Sequence, residues 1–177
     1  MTKQANKKSS WLEEFASFYV EGGGSKRFIN GMTTSNVNLD VPFLQTCWLN
    51  QKGVLRALLE IHIYKDRLLI LNLQGNMQEI KDFFGNMIFP SDKVSLSDNF
   101  PVFRLQEVEM NKPWRKSEPK LFIKQDPKKY CLENQIECLK SSNLEEWKIW
   151  QAMPRLNYEI DEKNNPLELG LHDLIDF

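Results

Sequence analysis

The sequence predicts an α+β fold of antiparallel sheets with flanking helices, and three features carry that expectation. Phe43–Leu73 is a run of strand-forming residues broken only by the short turns Asn50-Gln51-Lys52-Gly53 and Lys65-Asp66. Connections that short cannot carry a parallel crossover, so the run predicts an antiparallel three-stranded meander. Asn76–Met87 then places Met77, Ile80, Phe83, Phe84 and Met87 at helical spacing. Lys93–Leu96 and Val102–Val108 return to strand character. Strand, helix, strands, helix, strand is a split βαβ, ferredoxin-like order.

The remaining elements follow in chain order. Residues 1–10 read as a disordered polar tail, and Trp11–Ala16 as a short helix or lead-in turn. Ser17–Glu21 is a strand that runs into Gly22-Gly23-Gly24. Ser25 is a natural N-cap for a helix through Phe28 and Ile29, ending at Gly31. The glycine run lacks the spacing and the lysine of a phosphate loop, so it reads as a permissive turn. Within the meander, Val54–Tyr64 is a long strand with Leu55, Leu59, Ile61 and Ile63 as core residues. His62 alternates to the opposite, polar face, toward solvent or a domain interface.

Residues 111–129 change character, with Pro113, Pro119, Pro127 and seven basic residues against two acidic ones. They read as a crossover around a short strand at Leu121–Lys124. A sharper alternative is an RNA-contacting patch with Trp114 stacking on bases. Asn143 then caps a helix through Trp147 and Trp150, with Glu145 and Glu146 in its first turn, and Pro154 stops it. The expected organisation is an α+β subdomain over 11–110, the basic crossover over 111–129, and the start of a second, interleaved subdomain over 130–177.

Composition excludes several functions. Hydrophobic residues make up 41% and charged residues 27%, close to the globular average. The net charge of −1 lacks the basic excess of a nucleic-acid binder. No apolar run approaches the roughly 18 residues that would span a bilayer. The polar, basic N-terminus has no apolar segment behind it, so the expectation is a cytoplasmic chain with no membrane partner. Three cysteines, Cys47, Cys131 and Cys138, form an odd set that points to free thiols rather than a disulfide framework. Cys131 and Cys138 lie seven apart, two helical turns, and nothing supplies the clustered N/S ligands of a metal site. No nucleophile–base–acid set is visible. His172 lies beside Asp173, and adjacent residues do not face each other. The pairs Glu145-Glu146 and Asp161-Glu162 sit in capping or loop contexts.

Three longer stretches carry a resemblance. They are VEGGGSKRFINGMTTSNVNL, CWLNQKGVLRALLEIHIYKDRLLI and MPRLNYEIDEKNNPLELGL, in that order over Val20–Phe177. They resemble the "FLxGxxTNDV", "N-x-K-G-R" and "GxPxxxxEL…NPLEAGL" motifs of the folate-binding aminomethyltransferase superfamily, and specifically its YgfZ branch. That family's last motif runs on into K-G-C-Y-x-G-Q-E, so the resemblance implies a chain truncated before the signature cysteine and a small C-terminal barrel.

The resemblance implies tetrahydrofolate as cofactor, held in a central cleft. It places the ligand near Asn50, Lys52 and Gly53, near the return strand at Asn72, and near the helix bearing Trp150 and Gln151. In that helix the family often carries a pterin-binding Glu, which falls at Trp150 or Gln151 here. The acid of true aminomethyltransferases falls at Arg56 or Ala57, neither of which is a carboxylate. No catalytic residue is assigned, and whether the chain is an enzyme stays open. Lys52-Gly53 matches the YgfZ form, which implies an accessory role supporting iron–sulfur enzymes, including those that modify tRNA. The alternatives are an aminomethyltransferase of the glycine cleavage system and an RNA-contacting accessory domain.

Overall fold

The computed structural model describes residues 9–109, 112–161 and 163–176. Most of the expected tail, Asn111 of the crossover, Glu162 and Phe177 therefore lie outside the described residues. The elements are β1 (Ser9–Glu21), α1 (Ser25–Met32), β2 (Phe43–Leu49), β3 (Leu55–Ile63), β4 (Arg67–Gln74), α2 (Met77–Asn86), β5 (Ser95–Leu96), β6 (Phe100–Glu107), β7 (Lys120–Phe122), α3 (Pro127–Glu133), β8 (Glu137–Cys138) and α4 (Ser141–Trp150). This is an α+β fold with antiparallel strands and flanking helices. Two compact units divide the chain. The larger joins Ala16–Phe100 to Pro154–Phe177, and the smaller joins the chain up to Phe15 to Pro101–Met153.

In the larger unit the strand order is β2-β3-β4-β1, with β5 also on β1. The meander is antiparallel, with Thr46 opposite Leu59 and Ile61 opposite Ile70, as its short turns dictate. Leu55, Leu59 and Ile61 are buried as expected, and Ile63 is partly buried. α1 and α2 cover one face: Phe28, Ile29, Ile80 and Phe84 pack on Phe18, Val20, Trp48, Ala57, Leu59, Ile61, Leu68 and Ile70. Phe84 meets Phe18, Phe28 and Trp48 edge-on, at 6.2, 6.2 and 6.1 Å between ring centroids. Edge-to-face pairs of this kind add about 0.5–1.5 kcal/mol each beyond area burial. Asn76 caps α2 by accepting from the Gln78 and Glu79 amides.

His62 was expected on the opposite face, toward solvent or a domain interface; it is 8% exposed and so does not face solvent. Its Nε2 lies 2.9 Å from Oε1 of the fully buried Glu60, whose Oε2 accepts from Gln45 Nε2 at 2.8 Å. A buried carboxylate needs such partners, and alternation along the strand supplies them from one face. Phe43 stacks on the imidazole at 5.6 Å.

The glycine run is a turn, but the reason lies across the chain. A Cβ on Gly22 would strike the Lys93 carbonyl oxygen, and one on Gly24 the Asp92 carbonyl oxygen, whereas Gly23 faces open space. Gly22 also has φ +108°. Gly24, not Ser25, holds the N-cap position of α1, and the Ser25 hydroxyl donates back to Gly22 O at 2.5 Å. The helix runs one residue past Gly31, to Met32.

The smaller unit contains the first half of β1, which is strand where a helix or turn was expected. Trp11 and Phe15 are buried at a spacing of four that suits a helix as well as a strand, and packing decides the conformation over local propensity. β1 pairs with β6, which pairs antiparallel with β7. β8 joins β1 in parallel, with Ser9 opposite Glu137 and Ser10 opposite Cys138. Trp11 is the centre of this unit, 5.9 Å from Phe15, 6.3 Å from Trp114 and 5.5 Å from Trp147. The Arg104 guanidinium lies over its ring at 4.6 Å. Lys148 is buried and offset by Glu13 at 2.8 Å and Glu145 at 3.3 Å. Trp114 is 1% exposed, so it is core and not a base-stacking residue. α4 begins at Ser141 with Lys140 at its N-cap, so Asn143 is inside the helix and Glu145 and Glu146 lie beyond its first turn.

The glycine turn yields a discriminating pair. Gly24→Ala is expected to cost roughly 1–3 kcal/mol through overpacking, and Gly23→Ala to stay within about 0.5 kcal/mol of the parent. Urea unfolding of both variants checks this; equal midpoints would remove the close-approach explanation.

Candidate functional site

The turn between β2 and β3 is built by its own asparagine. Asn50 Oδ1 accepts from the amides of Lys52 at 2.9 Å and Val54 at 3.1 Å, while Gly53 takes φ +76°. Lys52 is exposed on this turn. Asn72 donates from Nδ2 to Gly75 O at 2.8 Å, and its Oδ1 is buried without a protein partner. Gly75, at φ +143°, brings the start of α2 so close to β3 that an added Cβ would lie 2.6 Å from the Ala57 Cβ. Ala57 is fully buried by this approach. Its neighbour Arg56 is partly buried, and its guanidinium pairs with Glu79 of α2.

The segment after Pro154 closes over this corner. Leu55 donates its amide to Asn164 O at 2.9 Å, and Leu156 donates to Gln74 Oε1 at 3.1 Å. The loop is locked internally. Arg155 holds Glu159 through its backbone amide at 3.0 Å, Nε at 3.2 Å and a terminal guanidinium nitrogen at 2.9 Å. The hydrogen bond from Arg155 keeps the Glu159 carboxyl below its ordinary value against a smaller opposing effect of burial. Asn157 adopts φ +65°, a left-handed conformation that asparagine tolerates. Asp161 Oδ1 accepts from the Lys163 amide at 3.1 Å and from Asn164 Nδ2 at 2.9 Å.

Between these parts lies a pocket of about 460 Å³, wholly within the larger unit. Leu55, Leu156 and Ile160 supply its apolar wall; Arg56, Asn76, Glu79, Asn157 and Asp161 supply polar groups. Its size and mixed lining suit a small heteroaromatic ligand with hydrogen-bonding edges.

The expected ligand residues fare differently. Asn50, Lys52, Gly53 and Asn72 belong to the larger unit, while Trp150 and Gln151 belong to the smaller. None of the six lines the pocket described here. Gln151 Oε1 is engaged by the Trp114 amide at 2.9 Å, and Trp150 is 72% exposed at the end of α4. Sequence reading missed Asn76, Glu79, Asn157 and Asp161. Asp161 reads from the sequence only as a loop acid, and Asn157 is marked only by a residue type that permits positive φ.

All three resembling stretches, apart from Met153, fall in the larger unit, where the first is tied to the second and to the residues just after the third. Thr34 makes the tie. Its amide donates to Cys47 O and to Thr46 Oγ1, each at 3.1 Å. Its hydroxyl accepts from the Cys47 amide at 3.0 Å and donates to Leu174 O at 2.6 Å, and its carbonyl accepts from the Asp176 amide at 2.8 Å.

Among the described residues, no group of three or more His, Cys, Asp or Glu side chains could hold a metal ion. No helix among them is long and apolar enough to cross a membrane. No family model matches the chain, and no curated protein matches it. Among solved structures, glycine cleavage system aminomethyltransferase T from Bartonella henselae is similar at a TM-score of 0.46 and 14% identity, over 56% of this chain. The chain spans 29% of that protein's length.

The Arg155–Glu159 lock has a measurable signature. A carboxyl held low in the folded state stabilises the fold above its ordinary titration range and ceases to do so as pH falls through the lowered value. Arg155→Met should let Glu159 titrate upward, toward an ordinary carboxylate, and the parent's stability advantage over the variant should shrink on acidification. NMR titration of the Glu159 carboxyl reads the first effect; an unchanged midpoint would show that Arg155 is not its partner in solution.

Proposed function

We propose that this chain is a tetrahydrofolate-binding accessory module, with the pterin ring in the pocket between Arg56 and Asp161. The observation that supports it is a coincidence of position. The residues at which the family resemblance puts the catalytic acid are Arg56, which lines the pocket, and Ala57, which is fully buried beneath it. Asp161 presents a carboxylate to the donor edge of a pterin, and Arg56 presents a cation to its carbonyl. A pocket of about 460 Å³ takes the bicyclic ring and leaves the glutamate tail outside. Asn50 and Gln151 do not line this pocket and have no part in this placement. With no carboxylate at either acid position, the module binds folate without transferring an aminomethyl group. Support of iron–sulfur enzymes is the role that the resemblance attaches to such a module.

Titration calorimetry with tetrahydrofolate tests this. Arg56→Ala and Asp161→Asn should each weaken binding about tenfold, the equivalent of about 1.4 kcal/mol. No turnover above background is expected with an aminomethylated lipoyl carrier. Absence of binding by the parent chain defeats the folate reading; parent-like binding by both variants moves the ring out of this pocket; turnover restores the transferase.

A further inference from the structure

Cys131 and Cys138 do not lie along one helix, as their spacing suggested. α3 ends at Glu133, and Gln135 at φ +55° turns the chain back. The Ile136 amide then donates to Cys131 O at 2.9 Å, and Cys138 enters β8. This hairpin-like return sets the two sulfurs 3.8 Å apart, with the Cys138 thiol donating to Cys131 Sγ. Both belong to the smaller unit. Cys131 is buried against Leu105 and Phe122, while Cys138 is half-buried and reachable from solvent.

We propose that Cys131 and Cys138 form a reversible dithiol–disulfide couple, oxidised by low-molecular-weight disulfides such as glutathione disulfide. Closing the bond requires the sulfurs to move from 3.8 Å to roughly 2.0 Å, a shift that side-chain rotation and a small movement of the turn supply. Exposure sets the order of events. The Cys138 thiolate attacks one sulfur of glutathione disulfide and expels one glutathione thiolate. Cys131 then attacks the Cys138 sulfur of the mixed disulfide and expels the second. Two protein thiols and one glutathione disulfide become one protein disulfide and two glutathione thiols, which carry away both protons. Burial pushes the Cys138 thiol up to about 11, with the Cys131 hydrogen bond adding to it. The nucleophilic thiolate is scarce at neutral pH, so the resting dithiol reacts slowly.

The native chain is equilibrated in glutathione buffers of rising oxidised fraction, alkylated and digested with trypsin. Cleavage after Lys129 and Lys140 leaves both cysteines on one peptide, Tyr130–Lys140. In the oxidised chain that peptide should carry no alkyl group and weigh two hydrogens less than the unmodified dithiol peptide, and thiols titratable after denaturation should fall from three to one. Excess reduced glutathione should restore both. The oxidised chain should melt at a higher temperature than the reduced chain, because the cross-link restricts the unfolded chain. Cys131→Ser should trap Cys138 with one glutathione attached. Three surviving thiols in fully oxidised glutathione would overturn the proposal. So would a parent chain that stops at a Cys138–glutathione adduct, or an oxidised chain that melts lower than the reduced one.

Discussion

Thr34 is the constraint on which the larger unit depends. Its amide, hydroxyl and carbonyl are all spent on other stretches of chain: β2 on one side and the segment around Leu174 on the other, 140 residues away. Backbone groups in such a crowded corner must find partners or forfeit stability. Here one residue satisfies its own and several of its neighbours'. Thr46 reinforces the knot by accepting from the amides of both Thr34 and Ser35. Ser35 and Asn36 add bonds to Leu174 O and the Asp176 carboxylate, and the Leu55–Asn164 and Leu156–Gln74 bonds fasten the segment nearer its start. The pocket wall that the segment provides takes its position from these bonds.

Much of the larger unit was legible in the sequence because two independent periodicities agree there. Alternation over β3 and the short turns at either end leave one pairing scheme, and helical spacing over α2 leaves one buried face. Legibility failed where the deciding contact comes from a distant stretch. Nothing local to Trp11 and Phe15 declares a strand; the aromatic packing of Trp11 on Trp114 and Trp147 does. Trp114 sits in a basic, proline-bearing stretch whose composition suggested a surface, and its burial is invisible to composition. His62 was correctly placed on the opposite face from Ile61, but period two cannot say whether that face is wet or buried. The thiol pair is a similar case, since a spacing of seven is helical only where a helix persists.

The pocket shows a related limit. Arg56 and Ala57 were singled out as substitutes for an acid, and their neighbourhood contains the cavity. The partners across the cavity come from a loop whose conformation depends on Asn157 in the left-handed region and on the Arg155–Glu159 lock. Such loops carry no periodicity, so position in the chain says little about which side chains converge. The separation also has a chemical meaning. Rigid strand and helix ends hold Arg56 and Glu79, while the loop supplies Asp161, so recognition can vary through the loop without disturbing the sheet.

The arrangement of the two units has a consequence for how the protein is made. Chain emerging from a ribosome presents β2, β3 and β4 early, and their local hairpins can close at once. The amide of Leu55, by contrast, stays without its native partner until Asn164 has been synthesised, and Thr34 waits longer still for Leu174. The whole stretch Pro101–Met153, which belongs to the other unit, must pass before then. Long-range closures of this kind cost entropy before they return any contact energy, so they slow folding and lengthen the life of half-built states. Through that interval the corner at Arg56 and Glu79 lacks its lid, and a nascent chain stalled there would expose Leu55 beside an unsatisfied strand end. Vectorial synthesis therefore makes the pocket corner the last part of the larger unit to mature.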